Sequence, residues 1–105
     1  MAYIRGVPPR FEWDAAKAEA NLAKHGVSFD EASKLFTSDR DHLEIADEAH
    51  AEDEDRFIAI GLIERGVVVV VFTEMKDEVV RIISARKATT TEERLFIEYR
   101  GTDHA

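Results

Sequence analysis

RFIAIGLIERGVVVVVFTEMKDEVVRIISARK, residues 56–87, divides into three apolar stretches, 57–63, 67–73 and 78–85, joined by Glu64-Arg65-Gly66 and Met75-Lys76-Asp77. Parallel neighbours need a crossover of about a dozen residues or more, so connections this short leave room only for antiparallel hairpins. The spacing predicts a meander, with 42–46 as a further strand. Its last strand carries a conflict: Arg81 sits among β-branched residues, and Arg86 and Lys87 close the run. A charge in such surroundings must be paired or face a wet cleft, because desolvating it alone is costly.

Working outward, the helix signals are local. Asp14 can cap a helix running to His25, with Gly26 as its stop, and Ser28 with Glu31 forms a capping box for a second helix to about residue 36. Thr90 with Glu93 reads as another box, opening a helix that carries Leu95, Phe96 and Tyr99 before Gly101. The sum is an α+β fold: a twisted antiparallel sheet of about four strands, packed with two N-terminal helices and one C-terminal helix.

At 105 residues, 45% of them hydrophobic, the chain is expected to be one globular domain, with residues 1–9 the segment least expected to be ordered. The absence of cysteine excludes a disulfide scaffold, a thiol nucleophile and a zinc finger. The longest apolar run, 67–72, is far below the roughly 20 residues a membrane span needs, and residues 1–9 lack the apolar core of a secretion signal. A cytoplasmic protein is expected. The net charge of −8 argues against a nucleic-acid partner until its distribution is considered. Residues 41–54 hold seven acids and no Lys or Arg, so nearly all the excess sits there and the remainder can carry a local basic patch.

On the first helix Ala15, Ala18 and Leu22 form a narrow apolar stripe, while Lys17, Asn21 and Lys24 share another face with His25 at the seam. His25 has two readings: a proton donor or acceptor beside Lys24, or a cation favoured by the helix C-terminus. On the last strand, alternation puts Arg81 with Ile83 and Ala85, and Arg86 with Ile82 and Ser84, so the two arginines face opposite ways unless the strand breaks. Each of them, and Arg56 on the preceding strand, either binds an anion or pairs with an acid such as Glu74. His42, Asp47, His50, Asp53 and Glu54 form no compact metal motif, and the acidic run reads as solvated; no metal or cofactor is expected. The chain has no glycine-rich phosphate loop, nucleophile elbow or recognisable helix-turn-helix.

Taken in order, Phe11-Glu12-Trp13-Asp14, Lys17, Asn21, Lys24-His25-Gly26-Val27-Ser28-Phe29, Glu31-Ala32, then Asp47, His50, Glu54 and Arg56, and finally 81–88, closely resemble the BrnT family of bacterial toxins, from about residue 11 to 99. The resemblance implies a RelE-like fold and a metal-independent ribonuclease toxin of a type II toxin-antitoxin system. It also implies a ribbon-helix-helix antitoxin of the BrnA kind as partner, with DNA bound only through that antitoxin. Carried over by position, the candidate active-surface residues are Lys24, His25, Glu54, Arg56, Arg81 and Arg86. Where many members carry arginines after Ser-Ala-Arg, this chain has Thr89-Thr90-Thr91 and Glu92-Glu93, which weakens the expected basic surface. Two rivals remain at this level: a non-catalytic partner-binding domain, and a toxin acting on a non-RNA target such as gyrase.

Overall fold

The computed structural model describes residues 9–38, 41–48 and 55–101. Along the chain these form β1 (Arg10–Glu12), α1 (Ala15–His25), α2 (Phe29–Thr37), β2 (Leu43–Ala46), β3 (Arg56–Ile63), β4 (Gly66–Met75), β5 (Val79–Lys87) and α3 (Thr90–Gly101). The α+β class and the β3-β4-β5 meander are as expected, and the sheet order is β1-β5-β4-β3-β2. The expected sheet of about four antiparallel strands is corrected to five strands in a mixed sheet, because β1 pairs parallel with β5. Three residues are too few to show a period of two, and the partner of Glu12 is 69 positions away. Residues 1–8, His50, Asp53 and Glu54 lie outside the described residues, as do the expectations made for them. No helix among the described residues is long and apolar enough to cross a membrane.

The sheet is covered unequally on its two faces. On one, Val68, Val70, Phe72, Val80, Ile82 and Ala85 pack with Val27, Phe29, Ala32, Leu35 and Phe36, so α2 and the turn before it seal the main core. On the other, Phe96 of α3 closes over Ile60 and Val69. Tyr99 at the far end of α3 donates to Asp41 Oδ2 at 3.2 Å, which lays the helix across the strands toward β2. Among the described residues, α3 is the one helix packed on this second face.

Most local signals act as read. Asp14 accepts from the Lys17 amide at 2.9 Å, Gly26 ends α1 at φ 71°, and Ser28 with Glu31 completes its capping box. Two readings need correction. The last capping box is Thr89 with Glu92, one residue earlier than expected: Glu92 N donates to Thr89 Oγ1, and Thr89 N to Glu92 Oε1. The apolar stripe of α1 is not its buried face, since Leu22 is 48% exposed and Asn21 is 8% exposed. A polar residue turned inward by three hydrogen bonds, described below, outweighs the small area that two alanines and a leucine offer.

Two backbone positions are tight. A Cβ on Gly61 would lie 2.9 Å from His42 Cβ and 3.0 Å from Leu35 Cγ and Cδ1. The β4–β5 turn holds Asp77 and Glu78 at φ 61° and 62°, a pair of left-handed positions that hairpins usually give to Asn-Gly. Gly61→Ala should lower stability by about 1–3 kcal/mol through overpacking. Glu78→Gly should raise it by about 0.5–1 kcal/mol, since relief of the left-handed strain exceeds the entropy lost to glycine in the unfolded chain. Urea unfolding midpoints at constant m-value measure both; a neutral Gly61→Ala would contradict the close approach.

Candidate functional site

The register of β5 decides where its cations go. Phe72 faces Ile82 and Val71 faces Ser84, so Ile83 is an extra residue in a β-bulge. Simple alternation would send Arg81 and Arg86 to opposite faces; the bulge resets the phase and puts both on the face that α3 half covers. Cross-strand partners share a face, so the pairs Glu12–Arg81, Arg81–Thr73 and Thr73–Arg56 form one row over β1, β5, β4 and β3. With strands about 4.8 Å apart, the Arg81 and Arg56 backbones stand roughly 10 Å apart, on either side of Thr73.

The two β5 arginines differ in their bonds. Arg86 is gripped by both arms: Nη1 and Nη2 donate to Glu92 Oε1 and Oε2 at 2.7 Å each, and Nη1 also reaches Lys87 O at 3.3 Å. The guanidinium of Arg86, helped by the Thr89 amide and opposed by desolvation, pulls the Glu92 carboxyl down to about 2 and raises Arg86 above its usual value. This fork ties the first turn of α3 to β5. Arg81 instead makes a single bond, Nη1 to Glu12 Oε1 at 2.9 Å, between side chains 40% and 43% exposed. Exposed pairs of this kind contribute little to stability. Neither arginine pairs with Glu74. Arg56 is half-buried beside a cleft lined by Ala46, Glu48, Asp55 and Phe57, and makes no ion pair among the described residues.

Lys24 and His25 end α1, Lys24 exposed and His25 half-buried. Their height on the sheet is set by Asn21, whose Nδ2 donates to Val27 O (3.0 Å) and Ala85 O (2.8 Å) and whose Oδ1 accepts from Ala85 N (3.2 Å). Since α1 starts just after Glu12, opposite Arg81, and reaches Ala85 by Asn21, its last turn lies toward the Arg86 end of β5. The six candidates thus divide. Arg81 and Arg56 share a row, Arg86 shares their face but is bound to Glu92, Lys24 and His25 belong to the helix layer, and Glu54 lies outside the described residues. Of the residues once considered as metal ligands, His42 is paired with Glu44 at 2.6 Å, which lowers the Glu44 carboxyl.

Sequence reasoning passed over Glu12, Asn21 and Glu92. Glu92 had a signal, a Glu three residues after Thr89. Asn21 had only a weak one, a short polar residue between two lysines. Glu12 stood in the Phe11-Glu12-Trp13-Asp14 motif of the family resemblance, but its bond to Arg81 had no signal without the parallel pairing of β1.

Comparison with known proteins adds two findings. The family model for the ribonuclease toxin BrnT of type II toxin-antitoxin systems matches residues 13–92. The crystal structure of the ribonuclease toxin BrnT of Brucella abortus is similar at 28% identity with a TM-score of 0.62, covering 78% of this chain and 99% of that one. No curated protein matches.

The Arg86–Glu92 fork has a pH signature. A carboxyl whose folded pKa lies below its unfolded value of 4.5 stabilises the fold above that value, and the contribution fades as pH falls toward about 2. Discounted for the partial exposure of both side chains, the wild type should exceed Glu92→Gln by about 1–2 kcal/mol at pH 7. Chemical denaturation of both at pH 7, 4 and 2.5 should show that gap closing; a constant gap would mean the fork is not what holds α3.

Proposed function

The chain belongs to the BrnT family of ribonuclease toxins of type II toxin-antitoxin systems, and from that premise we propose that it is a metal-independent endoribonuclease of the cytoplasm. The single observation that supports this chain's own capacity for the reaction is the row Arg81-Thr73-Arg56 on one sheet face, with two partly exposed arginines on either side of the buried Thr73.

In the proposed reaction the ribose 2′-OH attacks its own 3′-phosphate, forming a cyclic phosphate and releasing the 5′-oxygen. A base must take the hydroxyl proton, an acid must protonate the leaving oxygen, and cations must hold the charge that grows on the non-bridging oxygens. Arg81, with donors left over from its single bond to Glu12, and Arg56, free of an ion pair among the described residues, take the phosphate. Arginine suits this because its planar fork can engage two oxygens. His25 moves a proton, with Lys24 beside it as a further cation and Glu54 as its counterpart. Arg86 serves the site by anchoring α3, and reaches RNA only at the margin of that fork.

A type II toxin has an antitoxin as partner, and here we assign a ribbon-helix-helix protein of the BrnA kind, which alone contacts DNA. One observation favours a second reading, a toxin that binds a target without cutting RNA: α1 carries His25 toward Ala85 rather than toward Arg81.

Purified protein should cut RNA in EDTA. His25→Ala and Arg81→Ala should each lower the rate by about 10²-fold, a typical loss for one electrostatic or proton-transfer group. Melting temperatures should stay within a few degrees, because Arg81 holds only an exposed pair. Growth arrest on expression with intact RNA would favour the second reading, with gyrase supercoiling as the next assay.

A further inference from the structure

We propose that Glu12 is a positioning residue, holding the Arg81 guanidinium at the angle in which its remaining N–H groups meet an RNA phosphate; this rests on the ribonuclease reading. Three features of the structure lead to it.

The first is how firmly β1 is placed for so short a strand. Arg10 N donates to Glu78 O at 2.9 Å and Arg10 Nη2 to Asp77 O at 3.1 Å, fixing the start of β1 on the β4–β5 turn. Phe11 then packs on Phe36, with ring centroids 5.8 Å apart, and Trp13 meets Phe29 edge-on at the same distance. Glu12 stands between these two aromatic anchors and, by strand alternation, points to the opposite face. It has little freedom to be anywhere but beside its register partner Arg81.

The second is the bond itself. Arg86 shows what a structural arginine looks like in this protein: both arms occupied, by a carboxylate that is also held in a helix cap. Arg81 has one N–H taken by Glu12 and, among the described residues, no other hydrogen bond. Of a guanidinium's five N–H donors, four remain. An exposed single-point pair adds little stability, so the arrangement is better explained by orientation than by folding.

The third is direction. Glu12 and Arg56 flank the Arg81 position from opposite sides of the row, Glu12 on β1 and Arg56 beyond Thr73 on β3. Thr73 itself is buried, so a phosphate held between the outer ends of Arg81 and Arg56 meets two cations, while the carboxylate lies on the far side of Arg81. Without Glu12 the long Arg81 side chain would sample several rotamers and would have to be ordered anew by each substrate.

The test is a double-mutant cycle on RNA cleavage, with Glu12→Ala, Arg81→Ala, the double variant and Glu12→Gln. Glu12→Ala should lower kcat/KM on the order of tenfold, the scale of a lost orienting contact. In the Arg81→Ala background the same change should do nothing. Glu12→Gln, which can still accept the N–H bond, should recover most of the activity, which a purely electrostatic or fold-supporting carboxylate would not allow. Equal effects of Glu12→Ala in both backgrounds, or a gain in activity on removing it, would overturn the proposal. Affinity for a fluorescent 2′-O-methyl RNA oligonucleotide, which cannot be cleaved, separates the two layers. If wild type does not cut RNA, the ribonuclease reading fails, while a Glu12→Ala loss of affinity that depends on Arg81 still supports positioning. No Arg81-dependent change in affinity overturns positioning whatever the cleavage result.

Discussion

Beyond Arg81, β5 leaves β1 behind but remains inside the protein, and the Ala85 N–H and C=O are buried on an edge where, among the described residues, no strand pairs with them. Buried backbone groups need partners, and the carboxamide of Asn21 supplies both at once, accepting from the N–H and donating to the C=O as a paired strand would. Its second N–H goes to Val27 O, the residue just past the Gly26 turn. One side chain thereby fixes the height of α1 on the sheet, the exit from α1, and the point where α2 begins. Val27 and Phe29, seated by that turn, are among the most buried side chains of the main core. The helix that carries Lys24 and His25 is held by this amide more than by its own apolar area, since Leu22 remains half exposed.

The second organising feature is the bulge at Ile83. One extra residue lets β5 keep Val80, Ile82 and Ala85 in the core while Arg81, Ser84 and Arg86 all face the other way. Two arginines five positions apart, which strict alternation would separate, then share a surface and divide the work there. Arg86 is consumed by Glu92 at the start of α3, and that contact keeps Phe96 over Ile60 and Val69. Arg81, one end of the sheet away from α3, keeps its donors.

What was legible in the sequence follows from the range of the forces involved. The meander and the caps at Asp14, Gly26 and Ser28 depend on residues a few positions apart, and 56–87 and 14–31 carry their signals whole. β1 depends on pairing across 69 positions, and the phase of β5 on a bulge that no residue type announces. Asn21 illustrates a different failure: helical-wheel reasoning ranks faces by apolarity, whereas this helix is docked by hydrogen bonds to backbone groups that the wheel does not include. The family resemblance selected Arg81 and His25 by motif, but motif order could not tell that α1 carries them apart along β5.

The charge balance also looks different once strand order is known. The acidic excess begins at β2, with Asp41, Glu44, Asp47 and Glu48, and β2 is the sheet edge three strands away from β5. Three strand spacings are about 14 Å, longer than the Debye length of about 8–10 Å at physiological salt. Arg81 is therefore largely screened from those described acids, and a net charge of −8 does not set the potential at its side of the sheet. Arg56 is less protected: Asp47 N bonds to Arg56 O, and Glu48 and Asp55 line the cleft beside it. An anion moving along the row Arg56-Thr73-Arg81 leaves the β2 acids behind as it nears β5, where the carboxylate facing Arg81 is that of Glu12. Among the cations of this face, position in the sheet makes Arg81 the one best able to act on a phosphate in an otherwise acidic protein.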